Sequence, residues 1–169
     1  MTFLELANKR YSSRKYKDIP IEEEKLNKVL EAGRIAPTAK NNQPITIYVL
    51  QSEEALKKIR SITRCAFNAP IVLMLTYNTE QEWNNPLEEG IHSGVEDCSI
   101  VATHMMLEAT DIGLATCWVN IFPNSQTGKD FNLPKNIKPV LLMPIGYPDD
   151  EPSERHTLRK SLNEIVVKL

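Results

Sequence analysis

Glycine is scarce in this sequence. Its 169 residues contain six glycines against eleven prolines, and no three glycines stand in a G-x-G-x-x-G or G-x-x-x-x-G-K frame. Glycines in those frames let the backbone approach a phosphate closely. Their absence excludes a dinucleotide fingerprint and a Walker loop, so a bound nucleotide would have to be held in another way.

Cysteine and histidine are also rare. Cys65, Cys98 and Cys117 are too far apart for a C-x-x-C redox pair or a zinc site, and the three histidines show no metal-ligand spacing. We therefore expect no metal site. An odd number of cysteines is typical of a reducing compartment, and the first residues lack a secretory-signal pattern, which together predict a cytoplasmic protein.

Long apolar runs and an excess of one charge are missing as well. The longest apolar run, residues 71–75, is far shorter than the roughly 20 residues that a spanning helix needs. Twenty basic side chains face twenty-two acidic ones, for a net charge of -2. We expect no membrane and no nucleic-acid partner. The length predicts a single domain over residues 1–169.

Hydrophobic spacing and turn residues predict helices that alternate with strands. Thr2 and Glu5 form a capping-box pattern, Pro20 is expected to open the second helix, and Ser52 to cap the third. The predicted helices are 2–9, 20–36, 52–60, 95–112 and 125–131, and the predicted strands are 45–50, 71–77, 115–119 and 139–145. This order favours an α+β or α/β sandwich with helices over a central sheet.

The helix predicted at 95–112 has an unusually broad apolar stripe, and Gly113 is expected to end it. The stripe comprises Val95, Cys98, Val101, Ala102, Met105, Met106, Ala109 and Ile112. Most of it is expected to face the core. Because it is wider than one sheet face needs, part of it is also expected at the interface of a dimer.

A basic segment near the N-terminus, residues 10–16, is the first candidate binding element, and we call it the basic loop. In an extended chain the side chains of Arg10, Ser12 and Arg14 project to one side and can converge on one anion. The planar guanidinium suits a phosphate better than an ammonium group does. Taken alone, the same pattern is also that of a solvated surface.

Residues 37–44, between a predicted helix and a predicted strand, form the second candidate, which we call the prolyl loop. Pro37 and Pro44 stiffen its ends, and an alcohol and side-chain amides lie between them. Such a segment can offer hydrogen bonds to the edge of a planar heterocycle. A plain connecting turn would have the same composition.

Together these segments resemble the FMN-dependent nitroreductase family. Residues 10–14 and 36–44 match its two N-terminal motifs, and residues 113–118 (GLATCW) are similar to the family's GLGTCW stretch. Residues 144–148 (PIGYP) and 161–166 (SLNEIV) are similar to its C-terminal ending. The similarity is collinear over essentially the whole chain.

The resemblance implies a nitroreductase-like α+β fold. This is a three-layer α-β-α sandwich with a mixed, mainly antiparallel central sheet, in an intertwined homodimer that holds FMN at its interface. It also implies that Arg10, Ser12 and Arg14 bind the FMN phosphate and ribityl chain. A basic residue before the C-terminal motif is expected to reach the phosphate too. Arg159 fits best, followed by Lys160 and Arg155.

The same resemblance implies contacts to the flavin ring. The residues expected to approach the ring from the second subunit are Pro37, Thr38, Ala39, Asn41 and Gln43. The backbone of Val119, Asn120 and Ile121 is expected to pass the N5 edge. The chain departs from the family pattern at Ile45, where an aromatic residue is usual, and at Asn120, where glycine is usual, and both departures bear on substrate choice.

The implied activity is hydride transfer from NADH or NADPH through flavin N5 to a small-molecule acceptor such as a nitroaromatic or a quinone, by a ping-pong mechanism. The chemistry would lie on FMN, with no obligatory catalytic side chain. One alternative is a flavin-binding sensor of the same fold without turnover. Another is an RNA contact at the basic loop, which the net charge and the lack of aromatics beyond Tyr11 and Tyr16 disfavour.

Overall fold

The computed structural model describes residues 1–169 as six α-helices and four β-strands. The helices are α1 (Phe3–Lys9), α2 (Glu23–Arg34), α3 (Glu53–Ile62), α4 (Gly94–Asp111), α5 (Asn124–Asp130) and α6 (Leu162–Ile165). The strands are β1 (Ile45–Leu50), β2 (Ile71–Asn78), β3 (Ala115–Thr116) and β4 (Ile137–Gly146). Short 3₁₀ turns lie at 39–41, 64–66 and 154–157.

Most helix ends follow their local capping signals. Thr2 and Glu5 form the predicted capping box, and the Ser52 hydroxyl accepts the Ala55 N–H. The start predicted at Pro20 is wrong, because the backbone stays extended through Glu22 and α2 begins at Glu23. Two glutamates in the first turn of α2 suit the positive end of its dipole.

The sheet has the order β1-β2-β4-β3, and all of its neighbouring strands are antiparallel. One parallel bridge, between Ser12 and Thr116, joins the basic loop to its edge. Strand β3 is shorter than the predicted 115–119. Cys117 lies opposite Pro144, which has no N–H to donate, and pairing resumes only between Val119 and Leu142.

Helices cover both faces of this sheet. On one face, Val29 of α2 and Met105 of α4 pack against Leu73 and Leu75 of β2. On the other face, Ile59 of α3 packs in a separate cluster with the alternate β2 residues. The prediction that residues 71–77 are buried on both faces is confirmed, and so is the three-layer α+β fold.

Helix α4 ends as its sequence predicts. Gly113 has a φ of +83°, and the Gly113 and Leu114 N–H groups donate to the carbonyls of Thr110 and Ala109. This closing pattern is a Schellman motif, in which glycine carries no Cβ penalty. The chain thereby turns back at once into β3, whose edge meets the basic loop.

The apolar stripe of α4 lies mostly in the chain's own core. Cys98, Val101 and Met105 are buried, whereas Val95 is 49% exposed. The dimer expected from the width of the stripe stays a prediction. None of the helices combines the length and apolarity needed to cross a bilayer.

Candidate functional site

The two ends of the chain meet at a strongly basic cavity of about 190 Å³. From the N-terminal side come Arg10, Tyr11, Ser12 and Arg14, and from the C-terminal side come Ser153, Arg155, His156 and Arg159. The cavity thus contains the three predicted basic-loop residues and Arg159, together with Arg155. Lys160 follows Arg159 but is not among the lining residues.

Backbone hydrogen bonds place the basic loop against the sheet. The Ser13 N–H donates to the Thr116 carbonyl of β3 at 3.1 Å. On the other side, the Lys17 N–H donates to the Tyr147 carbonyl at 2.9 Å. Bridges from Ser12 to β3 and from Tyr16 to the segment after β4 thus place the basic loop alongside the sheet.

A carboxylate far along the chain fixes the loop more closely. Asp150 Oδ2 accepts the Arg14 N–H at 2.7 Å, and Asp150 Oδ1 accepts the hydroxyl of the fully buried Ser13 at 2.6 Å. The Tyr11 hydroxyl donates to the Asp150 carbonyl at 2.7 Å. Sequence reasoning missed Asp150. It follows the PIGYP motif closely, but nothing in the pattern pairs it with the basic loop.

Tyr16 attaches the basic loop to the sheet through its hydroxyl. Its hydroxyl, which has one hydrogen to share, lies 2.9 Å from the Ser13 carbonyl oxygen and 3.2 Å from the Pro144 carbonyl oxygen. Burial is the main cause that raises the pKa of Tyr16 above the ordinary range of a tyrosine. The phenol therefore stays a neutral donor, and it joins the loop to β4.

The cavity is rich in unused donors. None of its arginines is in a salt bridge, and no carboxylate lies among the lining residues. Arg14 Nη1 donates to the Ser12 carbonyl and Arg159 Nη1 to the Leu158 carbonyl, which leaves other guanidinium N–H groups free. Forked cationic donors beside a serine hydroxyl suit a phosphate group.

The prolyl loop has an uncommon backbone conformation. Lys40, Asn41 and Gln43 have φ values of 51°, 55° and 51°, in the left-handed region that residues other than glycine seldom adopt. Within the loop, the Thr38 hydroxyl accepts the Gln43 N–H at 3.0 Å. This internal bond folds the loop tightly and leaves Asn41 and Gln43 exposed.

The prolyl loop does not line the basic cavity. Thr38 and Gln43 instead border a separate cavity of about 240 Å³ between α2, β1 and α4, which also contains Ile45. One chain therefore does not bring the two predicted binding elements together in one pocket.

A buried carboxylate, Asp97, holds the prolyl loop. It lies in the first turn of α4 and is 1% exposed. Its Oδ1 accepts the Ala39 N–H at 2.8 Å, and its Oδ2 accepts the Ser93 hydroxyl at 2.7 Å. Sequence reasoning missed this residue because an acidic residue near the start of a helix is common and indicates no contact with a distant loop.

The segment predicted to pass the flavin is anchored at both ends. Val119 is buried and exchanges both backbone hydrogen bonds with Leu142 at 3.0 Å. Ile121 is 75% exposed, and its carbonyl accepts the Thr63 hydroxyl at 2.7 Å. Between them, Asn120 Oδ1 accepts the Trp118 indole N–H at 3.0 Å, which fixes the side chain that replaces the family's glycine.

The Cys117 thiol near this segment is not a reactive thiolate. Burial is the main cause that raises the pKa of the Cys117 thiol, so the group stays neutral at ordinary pH. Acidic, histidine and cysteine side chains form no cluster of three or more that could hold a metal ion.

The Nitroreductase family model matches residues 7–68 and 63–147 of the chain. Among solved structures, a nitroreductase family protein from Clostridium difficile 630 is 40% identical, with a TM-score of 0.93 over 99% of this chain and 98% of that one. A structure from Exiguobacterium sibiricum, solved in complex with FMN, has a TM-score of 0.83 at 21% identity and covers 100% of this chain and 98% of its own. That likeness shows the shared fold.

A curated relative comes from Bacillus subtilis and is named an FMN reductase [NAD(P)H]. It is 29% identical over 165 residues, and the alignment covers 87% of this chain and 66% of the relative. The residues matched by the family model include the basic loop, the prolyl loop and the sheet.

Proposed function

The chain belongs to the nitroreductase family, and from that premise we propose that residues 1–169 form one FMN-dependent oxidoreductase domain. It takes a hydride from NADH or NADPH and passes it to an oxidised small molecule such as a nitroaromatic or a quinone. Two copies form the working unit, and FMN binds at the interface between them.

The basic cavity carries this proposal. A phosphate monoester bears about one to two negative charges near pH 7 and presents several acceptor oxygens. The cavity offers guanidinium groups from Arg10, Arg14, Arg155 and Arg159 with no competing carboxylate in its lining. Ser12 adds a hydroxyl. These residues would hold the FMN phosphate by charge-assisted hydrogen bonds.

The chain's residues supply position and charge. FMN, when bound, supplies the redox chemistry by accepting a hydride and giving it up again. Arg14, whose backbone N–H donates to Asp150, and Arg10 would set where the phosphate lies. The backbone of Val119, Asn120 and Ile121 borders the ring, and Ile45 and Asn120 shape the space that is left for the acceptor.

The prolyl loop completes the site from the second copy. Within one chain it borders a different cavity from the basic loop. Its exposed amides at Asn41 and Gln43 are available to the edge of a flavin held by the partner. This arrangement explains why two binding elements lie apart in one chain.

The test is a spectrum of the purified protein followed by anaerobic addition of each nicotinamide. We expect a yellow protein whose visible absorption bleaches with NADH or NADPH and returns when an acceptor is added. Steady-state plots against both substrates should give parallel lines. A colourless protein that takes up no added FMN would refute the proposal.

The same experiment separates the alternative of a non-turnover flavin sensor. A sensor would be yellow but would not bleach with either nicotinamide. Intersecting lines in the steady-state plots would instead refute the ping-pong exchange. The cytoplasmic location stays a prediction.

A further inference from the structure

The starting observation is a buried carboxylate with no cationic partner. Asp97 is 1% exposed and makes no salt bridge. A buried charge costs free energy unless hydrogen bonds and dipoles compensate it. Here the donors are the Ala39 N–H and the Ser93 hydroxyl, and the first turn of α4 places the carboxylate near the positive end of that helix.

The loop that Asp97 holds needs an outside constraint. Lys40, Asn41 and Gln43 have left-handed backbones, a conformation that is sterically unfavourable for residues other than glycine. Hydrogen bonds attach the loop to the rest of the chain at Ala39, at the Asn42 side chain and at the Pro44 carbonyl. Only the bond at Ala39 uses a buried charged acceptor, and it lies immediately before the left-handed residues.

The second oxygen of Asp97 reaches another segment. The Ser93 hydroxyl that donates to Asp97 also accepts the Trp83 N–H at 3.1 Å. The neighbouring Glu82 Oε2 accepts the Gly94 N–H at 3.0 Å and lies 2.8 Å from His92 Nδ1. Asp97 therefore lies where the 79–93 segment, the start of α4 and the prolyl loop meet.

We propose that Asp97 is a positioning residue for the flavin ring: through the Ala39 N–H it fixes the prolyl loop in the conformation that contacts the cofactor. The role rests on the proposed function. Asp97 touches neither cofactor nor substrate and acts through the loop. Its contribution comes from an acceptor oxygen at the right place, and an amide at this position retains that oxygen.

The test compares the FMN dissociation constants of three variants by quenching of flavin fluorescence. Asp97→Ala removes the acceptor, and we expect binding at least about tenfold weaker, as for loss of a hydrogen bond to a charged group. Asp97→Asn keeps an acceptor oxygen for the Ala39 N–H, so binding should stay within about threefold of the wild type.

Ala39→Pro removes the donor, and because the ring Cδ takes the place of the amide hydrogen, the Asp97 carboxylate must also turn away from residue 39. Thr38 is already extended, with φ -131° and ψ 160°, and Ala39 is the first residue of a 3₁₀ turn, so proline fits the backbone. We expect a loss of affinity at least as large as in Asp97→Ala, and little further loss beyond that of Asp97→Ala when the two changes are combined, because Asp97→Ala removes the carboxylate that the ring would meet. This variant keeps the test decisive if Asp97→Ala fails to fold.

The controls are Ser99→Ala and Asp111→Ala, which remove polar groups from the same helix away from the loop; the Ser99 hydroxyl bonds only to the Val95 carbonyl. Both should bind FMN like the wild type. Hydrogen exchange at the Ala39 amide gives a readout without cofactor, with protection retained in Asp97→Asn and lost in Asp97→Ala.

The outcomes separate this role from the proposed function. A wild-type chain that takes up no FMN overturns the proposed function and this role with it. A wild type that binds FMN, with Asp97→Ala or Ala39→Pro folded and binding it equally well, overturns the role of Asp97 alone. Equal losses in Asp97→Asn and Asp97→Ala would also overturn it, because the charge and not the loop bond would then matter.

Discussion

The basic loop and the prolyl loop are each held in one conformation by a distant part of the chain, but they differ in how this is done. Each is a segment outside the α-helices and β-strands, held by one aspartate that is distant in sequence: Asp150 for the basic loop and Asp97 for the prolyl loop. Asp150 is only partly buried and accepts a bond from the backbone of a cavity arginine, Arg14, whereas Asp97 is buried and accepts bonds from Ala39 and Ser93.

The difference shows what each loop contributes. The basic loop presents charged side chains to solvent, and its cavity is complete within one chain. The prolyl loop presents a backbone shape and exposed amides, and it borders a different cavity. The affinity for phosphate should therefore depend on the charges of the basic loop in one chain. The placement of the flavin ring should depend on the backbone conformation of the prolyl loop in the second chain.

The largest effect is expected from removing the charge of the basic loop. The double substitution Arg10→Ala and Arg14→Ala should strip the cofactor, because it loses two charge-assisted interactions of about 1.5–3 kcal/mol each, or a hundredfold or more in affinity. The measurement is the FMN content and dissociation constant of the purified variant. Lys57→Ala with Lys135→Ala removes two exposed charges elsewhere and should bind normally; undiminished FMN in the first variant would contradict the site.

The next experiment tests whether the two loops at one flavin come from different chains. A chain with Arg10→Ala and Arg14→Ala is coexpressed with a chain carrying Asn41→Ala and Gln43→Ala, and the heterodimer is isolated through two tags. One site then receives both defects and the other receives none, so about half of the wild-type flavin per dimer should return. A heterodimer as empty as both parent variants would place both loops at one flavin in the same chain.

A smaller effect is expected at the carboxylate that holds the basic loop. Asp150→Ala removes the acceptor of the Arg14 N–H and of the Ser13 hydroxyl, and affinity for FMN should fall about tenfold. Asp150→Asn removes the same charge but keeps an acceptor oxygen, so it should bind better than Asp150→Ala. Tighter binding in both variants than in the wild type would mean that the carboxylate acts by weakening the positive field of the arginines.

The smallest effect is expected at Tyr16, in the stability of the folded chain and in how that stability changes with pH. Since burial raises the pKa of Tyr16, the folded chain holds this proton more tightly than the unfolded chain does. The resulting stability is fully present below about pH 10, the ordinary pKa of tyrosine, and is lost as the pH rises toward the higher folded value. Chemical denaturation at several pH values should show Tyr16→Phe about 1 kcal/mol less stable near neutrality.

The same series should show a shallower fall for Tyr16→Phe than for the wild type above about pH 10. Tyr11 and Tyr77 also have raised pKa values, and burial raises the pKa of the Cys98 thiol to about 12. All three groups remain in both proteins. The comparison therefore isolates Tyr16. Identical slopes would contradict its buried, neutral state.

Local signals in the sequence predicted much of the fold. The capping box at Thr2, the Ser52 cap and Gly113 each act within a few residues, and all three occur as expected. The strand at 71–77 was recognisable because it is apolar on both faces. Signals that depend on a partner failed: strand 115–119 is interrupted at Cys117, opposite a proline on another strand.

The candidate site divides in the same way. Arg10, Ser12 and Arg14 stand out in sequence because a short alternating motif is enough to aim three side chains at one anion. Arg155 and Arg159 could be proposed from their charge, but their place in the same cavity depends on how the tail crosses the N-terminal segment.

By itself, the sequence determined the kinds of chemistry that this protein can offer. The missing glycine-rich frames excluded a dinucleotide fingerprint and a Walker loop, and the spaced arginines supplied a side-chain alternative for holding a phosphate. Only the tertiary structure decided which carboxylates hold the loops, because Asp97 and Asp150 act across 58 and 136 residues of chain. Hydrogen bonds need groups within about 3 Å of each other, and contacts between such distant residues are fixed by packing, which no short pattern encodes.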